Sequence, residues 1–221
     1  ILSREVHGKP LVYLDSAASA QKPAQVLDAL MSAYQDTYAN VHRGLHFLSE
    51  ASTDLYEAVR GKVAGFIGAA SGDEIVLTSG ATRSLNLIAR CWAQPRLQPG
   101  DEILISIAEH HANIVPWQMV AEATGARVRA FTLEDDGAFS MARLKAEMSE
   151  RTRIISVPHV SNVLGTVFPV AEIAELAHDA GALMVVDGCQ GVVHMPVDVT
   201  ALGADFYVFS AHKAYGPTGL G

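Results

Sequence analysis

The chain has 221 residues, 49% apolar and 18% charged, with a formal net charge of −8 at pH 7. That composition excludes a disordered chain, the longest apolar runs fall well short of the ~20 residues of a membrane helix, and the acidic balance argues against nucleic acid as the main partner. The two cysteines, Cys91 and Cys189, cannot build a disulfide framework and point to a reducing, cytoplasmic compartment; the first residues lack the basic and apolar regions of a signal peptide.

Elements alternate along the chain. Lys22–Asp36 has the spacing of a helix, with Pro23 in its first turn and Val26, Leu27, Leu30 and Tyr34 on one face. Ser49–Ile67 repeats the pattern through Leu55, Val59, Val63 and Phe66. Glu74–Thr78 is expected as a short strand, Ala81–Ala93 as a helix, and Glu102–Ser106 as a strand. A helix near Ile114–Thr124 should close at Gly125. Arg127–Thr132 reads as a strand, and Ser140 is placed to cap a helix to about Ser149. Strand Arg153–Val157, helix Val170–Ala180 closed by Gly181, and strands Ala182–Val186 and Asp205–Phe209 complete the series. Strands that are apolar throughout, separated by helices, predict an α/β fold with a mainly parallel sheet sandwiched between helices. The expected division is an N-terminal segment over residues 1–20 and one large domain over 21–221.

Ligands of such sheets bind beyond the carboxyl ends of the strands. Ala182–Val186 runs into Asp187, and Asp205–Phe209 runs into Ser210, His212 and Lys213. Alone, Asp187 is equally a helix cap or turn former, and Lys213 a solvated cation. Together they suit pyridoxal 5'-phosphate: the Lys amine forms a Schiff base with the cofactor aldehyde, and the Asp keeps the pyridinium nitrogen protonated. The matching phosphate site would be Ser79-Gly80-Ala81-Thr82, where a helix begins with free N–H groups and Gly80 permits close approach; an ordinary Ser/Thr cap is the plainer reading. Strand Glu102–Ser106 leads to Glu109-His110-His111. Adjacent histidines lack the i, i+4 spacing of a helical zinc motif, but an imidazole there can stack on a flat ring and move protons. Asn162, after strand Arg153–Val157, is a donor for a phenolate oxygen or a turn residue before Gly165.

The motifs Tyr13-Leu-Asp-Ser-Ala-Ala18, Val41-His-Arg-Gly44, Glu109-His-His-Ala-Asn-Ile-Val-Pro-Trp117, His159-Val-Ser-Asn-Val-Leu-Gly165, Val186-Asp-Gly-Cys-Gln190 and Phe206-Tyr-Val-Phe-Ser-Ala-His-Lys213 run in order through the whole chain. In this combination the sequence resembles the cysteine desulfurases of aminotransferase class V, in particular the group II, SUF-type enzymes and the cysteine sulfinate desulfinase-like proteins. The resemblance implies the large domain of a fold type I pyridoxal-phosphate enzyme. It implies Lys213 as the Schiff-base lysine and proton carrier, Asp187 at the pyridinium, and His110 stacked on the ring as acid/base. It implies Asn162 and Gln190 at the phenolic oxygen, and Ala81, Thr82, Ser210 and His212 in the phosphate cup. His42 and Arg43 would approach the mouth of the site.

The implied reaction removes sulfur from L-cysteine or a close analogue, leaving alanine and an enzyme persulfide for iron–sulfur cluster assembly. A SufE-, CsdE- or SufU-like acceptor protein and a homodimeric full-length enzyme are implied partners. Another class V lyase or epimerase, a selenocysteine lyase or cysteine sulfinate desulfinase, and a catalytically idle binding domain are the competing functions. Several positions depart from the family pattern: Ala81 for a usual Thr, Arg83 for Glu, Ala211 for Gly, and Cys189 for Ala under the ring. The resemblance places the persulfide cysteine and the carboxylate-gripping arginine beyond the Lys213 motif. Neither Cys91, expected to pack beside Trp92, nor Cys189, expected as a small core residue, matches that cysteine. A cofactor-binding fragment without its nucleophile is therefore the expectation.

Overall fold

The computed structural model describes residues 1–221. A small antiparallel hairpin, β1 (Glu5–Val6) and β2 (Lys9–Pro10), leads to two helices, α1 (Ala24–Ser32) and α2 (Phe47–Ile67). Helix α3 (Ala81–Leu87) continues in a wider π-type winding to Ala93. The sheet then alternates with helices: β3 (Glu102–Ser106), α4 (Val115–Thr124), β4 (Arg127–Phe131), α5 (Met141–Glu147), β5 (Thr152–Pro158), α6 (Val170–Asp179) and β6 (Leu183–Asp187). Two one-turn helices, α7 (Gly191–His194) and α8 (Val199–Leu202), precede β7 (Phe206–Val208). The five long-range strands are all parallel, in the order β4-β3-β5-β6-β7.

Pleat alternation divides the core in two. Ile103, Ile105, Ile154, Val185 and Val208 face Leu85 and Ile88 of the α3 run and Trp117 and Val120 of α4. Leu104, Ile155, Val157, Met184 and Val186 face Leu144 of α5 and Ile173, Ala174 and Ala177 of α6. Both faces of each strand are thus buried, which is why the strands lack polar alternation.

Local chemistry explains most boundaries. Helix α1 begins at Ala24, not at Lys22 as the sequence predicts. Pro23 is extended, with ψ 155°, and a residue before proline is pushed out of the helical region. Helix α2 starts at Phe47, two residues before the expected Ser49, because His46 Nδ1 accepts from the Ser49 N–H at 3.3 Å and caps the first turn. It closes at Gly68 (φ 70°), where a Cβ would lie 2.8 Å from the Asp198 carboxyl. Helix α4 ends at Gly125, as predicted (φ 77°). Ser140 precedes α5, but its side chain makes no cap bond.

The predicted strand Glu74–Thr78 is the main correction. The segment is extended from Ile75 but carries no ladder, and Gly72–Glu74 forms one 3-10 turn. Thr78 exchanges both main-chain bonds with Gly221 (Thr78 N–H to Gly221 O at 2.6 Å, Gly221 N–H to Thr78 O at 3.0 Å). Beyond that pair, a groove of about 740 Å³ separates Ile75–Leu77 from β7. Apolar pattern makes a segment extended; only a neighbour at hydrogen-bonding distance makes it a strand.

One buried polar network ties the sheet to the residues at its carboxyl edge. Asn113, 0% exposed, accepts at Oδ1 from Trp117 Nε1 (2.9 Å) and Ser156 Oγ (2.7 Å), and donates from Nδ2 to Glu109 Oε2 (2.8 Å). Asn113→Ala strands the Trp117 and Ser156 donors in the core. The expected loss is about 3 kcal/mol of unfolding free energy, measured by urea titration.

Candidate active site

The register aligns the strand ends. Pro158 of β5 pairs with Asp187 of β6, which pairs with Val208 of β7. The segments that leave these strands therefore meet on one edge, joined there by the turn after β3. Lys213, Asp187, His110, Asn162 and Gln190 line a single small concavity, with Pro158, Val160 and Cys189 completing its wall.

Asp187 is 7% exposed, and its Oδ1 accepts only the Cys189 N–H, at 3.0 Å. The Cys189 thiol also lies against the carboxylate, and no cationic side chain of the chain forms an ion pair with it, which leaves it open to a cationic N–H. The Lys213 amine makes no hydrogen bond or ion pair within the chain, a donor set suited to covalent capture of an aldehyde. His110 Nδ1 accepts the Ala112 N–H at 3.1 Å, so the ring carries its proton on Nε2. The Asn162 side chain is unengaged, whereas Gln190 Nε2 donates to Ala17 O at 2.9 Å and holds down the N-terminal segment.

The four residues of the expected phosphate cup also converge. Ser210 Oγ accepts the Ala81 N–H at 2.8 Å, which docks the start of α3 against the turn after β7. Gly80 has φ 130°, a conformation open chiefly to glycine. The Thr82 hydroxyl and N–H point to no partner in the chain and are available donors. Burial, then the charges of Lys213 and Lys22, lowers the His212 pKa from 6.5, so its ring is neutral at pH 7. Ala211 rests its methyl on Gly216, whose own Cβ would come within 2.9 Å.

His42 and Arg43 are not brought to this cluster. His42 sits at φ 70° with Nε2 3.2 Å from Glu57 of α2, and neither residue lines the concavity. Four residues that belong to the site were not singled out from the sequence. Lys22 Nζ donates to Ala20 O (2.6 Å) and His212 O (2.9 Å), fastening the N-terminal segment to the Lys213 turn. Glu109, His159 and Tyr207 lie behind the concavity. A histidine or tyrosine inside a motif offers no sign of which side of a strand end it supports.

Burial and the charge of Asp187 favour the neutral forms of the groups around it. Burial holds the Glu109 carboxyl well above the usual range, the charge of Asp187 adding to it, and Glu109 Oε1 is sealed without a partner. Burial, then Asp187, pushes the Cys189 thiol up to about 12. Cys189 packs in the core as expected, but Cys91 does not: it is exposed along the groove, because the π winding turns it away from the sheet while Ala89 and Ala93 are buried.

A parallel sheet with an unpaired lysine and a buried aspartate converging at its strand ends defines an α/β domain with a polar concavity at the carboxyl edge of its sheet. Residues 12–221 match the family model "Aminotransferase class-V", and the chain belongs to that family. Over its full length it is 53% identical to the cysteine desulfurase of Enterobacter sp. (strain 638) and 54% identical to that of Dickeya dadantii (strain 3937). It spans about half of these relatives, 54% of each. Among solved structures it is similar to the cysteine desulfurase CsdA (S-sulfonic acid form) from Escherichia coli, with TM-score 0.86, 47% identity, and coverage of 94% of this chain and 52% of that one. The apo cysteine desulfurase of Thermococcus onnurineus NA1 gives TM-score 0.90 at 38% identity, covering 95% and 52%.

Two outcomes follow from the protonation pattern. In the unfolded chain Glu109 ionises near 4.5, whereas the fold retains its proton to higher pH. The stability the neutral acid provides is complete below that value and falls as pH rises toward the folded-state pKa. Glu109→Gln does not titrate, so its melting temperature should gain on the parent as pH rises from about 5 to 8. With Ellman's reagent at pH 8, one thiol, Cys91, should react in the native protein and Cys189 only after denaturation.

Proposed function

We propose that this chain is the cofactor-binding part of a pyridoxal-phosphate-dependent cysteine desulfurase acting on L-cysteine in iron–sulfur cluster assembly. The observation that carries this reading is the convergence of a free lysine amine and a free, buried aspartate carboxylate on one concavity. The relatives named above support the substrate assignment. The cofactor fits the residues present: an acceptor with no cationic partner at Asp187, an uncommitted amine at Lys213, and unengaged donors at Thr82.

When bound, pyridoxal phosphate supplies an aldehyde for amines and a protonated ring that takes up electrons from the substrate's Cα. The chain's residues hold and orient it. Asp187 would keep a proton on the ring nitrogen, and burial that favours the neutral forms of Glu109 and Cys189 limits competing negative charge. His110 presents Nε2–H toward the concavity as a proton donor. Asn162 serves the phenolic oxygen; Gln190 contributes there through Oε1 or by keeping the Ala17 segment closed. Thr82, Ser210, His212 and the main chain at Ala81 take the phosphate. Lys213 would hold the cofactor through its amine and, with that amine free, would carry protons at the substrate's Cα.

Neither thiol in the chain is placed to accept sulfur. Cys189 is buried and protonated, and Cys91 opens onto the groove on the far side of the α3 run. Sulfur transfer thus requires a thiolate other than these two, passing sulfur on to an acceptor protein of the SufE, CsdE or SufU kind. Homodimerisation in the reducing cytoplasm completes the proposal. Its support is the apolar surface of α1 and α2, where Leu27, Met31, Phe47, Leu55 and Phe66 are exposed and no buried residue anchors α1.

The test is a pyridoxal phosphate titration followed in the visible range. The parent should develop a yellow absorbance band, Lys213→Ala should lose it, and Asp187→Ala should weaken binding at least tenfold by removing a charge-assisted bond. The chain given L-cysteine should form no sustained persulfide. A spectrum unchanged by Lys213→Ala, or persulfide on Cys91 or Cys189 at enzymatic rates, would overturn the assignment.

A further inference from the structure

Asp187 and Gln190 belong to one five-residue turn, Asp187-Gly188-Cys189-Gln190-Gly191, whose upper side forms the concavity. Its lower side rests on two rings. A Cβ on Gly188 would lie 2.0 Å from Tyr207 Cε1 and 2.5 Å from its Oη; a Cβ on Gly191 would lie 2.5 Å from His159 Nδ1. The turn is therefore seated on Tyr207 at one glycine and on His159 at the other, with Cys189 and Gln190 between. The rings brace each other: Tyr207 Oη lies 2.9 Å from His159 Nδ1, and the planes meet edge-on at 87° with centroids 5.8 Å apart.

The same two residues are tied to the turn through the main chain. The His159 N–H donates to Asp187 O at 2.9 Å, and the Gly188 N–H donates to Val208 O, next to Tyr207, at 2.8 Å. Neither ring lines the concavity, and His159 is 5% exposed. Both stay uncharged at neutral pH, His159 lowered by burial and Tyr207 raised by burial and by Asp187. A neutral pair can stand beneath the Asp187 carboxylate without neutralising it, which a lysine or arginine strut would do.

We infer that His159 and Tyr207 are positioning residues: their bonded rings form the floor that fixes the Asp187–Gly191 turn, and with it the carboxylate and amide the cofactor meets. This inference rests on the assignment of Asp187 and Gln190 to the cofactor. A simple core pair would affect global stability alone; a floor affects the turn more than the sheet.

The experiment measures amide hydrogen exchange at Cys189, relative to Ile155 in the sheet centre, together with pyridoxal phosphate affinity. Tyr207→Phe keeps the ring under Gly188 but deletes the bond to His159. It should raise the Cys189-to-Ile155 exchange ratio about tenfold and weaken cofactor binding by a similar factor. His159→Ala should match it, while His159→Asn, with an amide near the place of Nδ1, should restore both. An unchanged ratio in Tyr207→Phe, or a raised ratio with unaltered affinity, overturns the inference. Should the parent itself bind no cofactor, the proposed function has failed, and the exchange ratio alone decides whether the floor exists.

Discussion

Parallel pairing is the constraint on which the rest depends. Because β5, β6 and β7 run the same way in matched register, Pro158, Asp187 and Val208 end level with one another. Three polar residues of the site are then delivered by short exits from that edge: Asn162 four residues after Pro158, Gln190 three after Asp187, and Lys213 five after Val208. An antiparallel strand among these three would send one of the exits to the opposite edge. Burial of both sheet faces enforces the arrangement, since a slip of one residue would exchange Val185 and Val186 between two different cores.

Electrostatics follows from the same edge. Asp187 is a nearly buried acid, and its neighbours Glu109, Cys189 and Tyr207 each retain a proton partly because of it. The site thereby concentrates a single negative charge at one point and places the unpaired Lys213 amine on the same concavity. Cys189 in particular, despite lying beside the aspartate, behaves as a small apolar residue; its position under the site does not make it a nucleophile.

Much of this was legible in the sequence. Continuous apolar strands and glycine-closed helices specified the sheet and most of its crossovers, and the polar residues ending Ala182–Val186 and Asp205–Phe209 marked the site. What escaped has physical causes. Ile75–Thr78 carries strand chemistry, but strand formation needs a partner that periodicity does not reveal. Cys91 follows the helical pattern of an α-helix, and the change to π winding at Ile88 rotates it outward. His42 lies against Glu57 of α2, outside the concavity. The His159–Tyr207 brace joins residues 48 apart whose only signature is the glycine opposite each ring.

The fastening of Lys22 to His212 spans 190 positions. The central strands can pair as they leave the ribosome, each with a neighbour already made, but the segment around Ala17–Lys22 must wait until the Lys213 turn exists. At ~5–20 residues per second, that delay is roughly 10–40 s of synthesis. Over that interval the Ala17–Lys22 segment has neither Gln190 nor the His212 carbonyl to bond. A contact that joins positions this far apart is thus among the last of the site's supports to be set, although one of its two ends is made among the first residues of the chain.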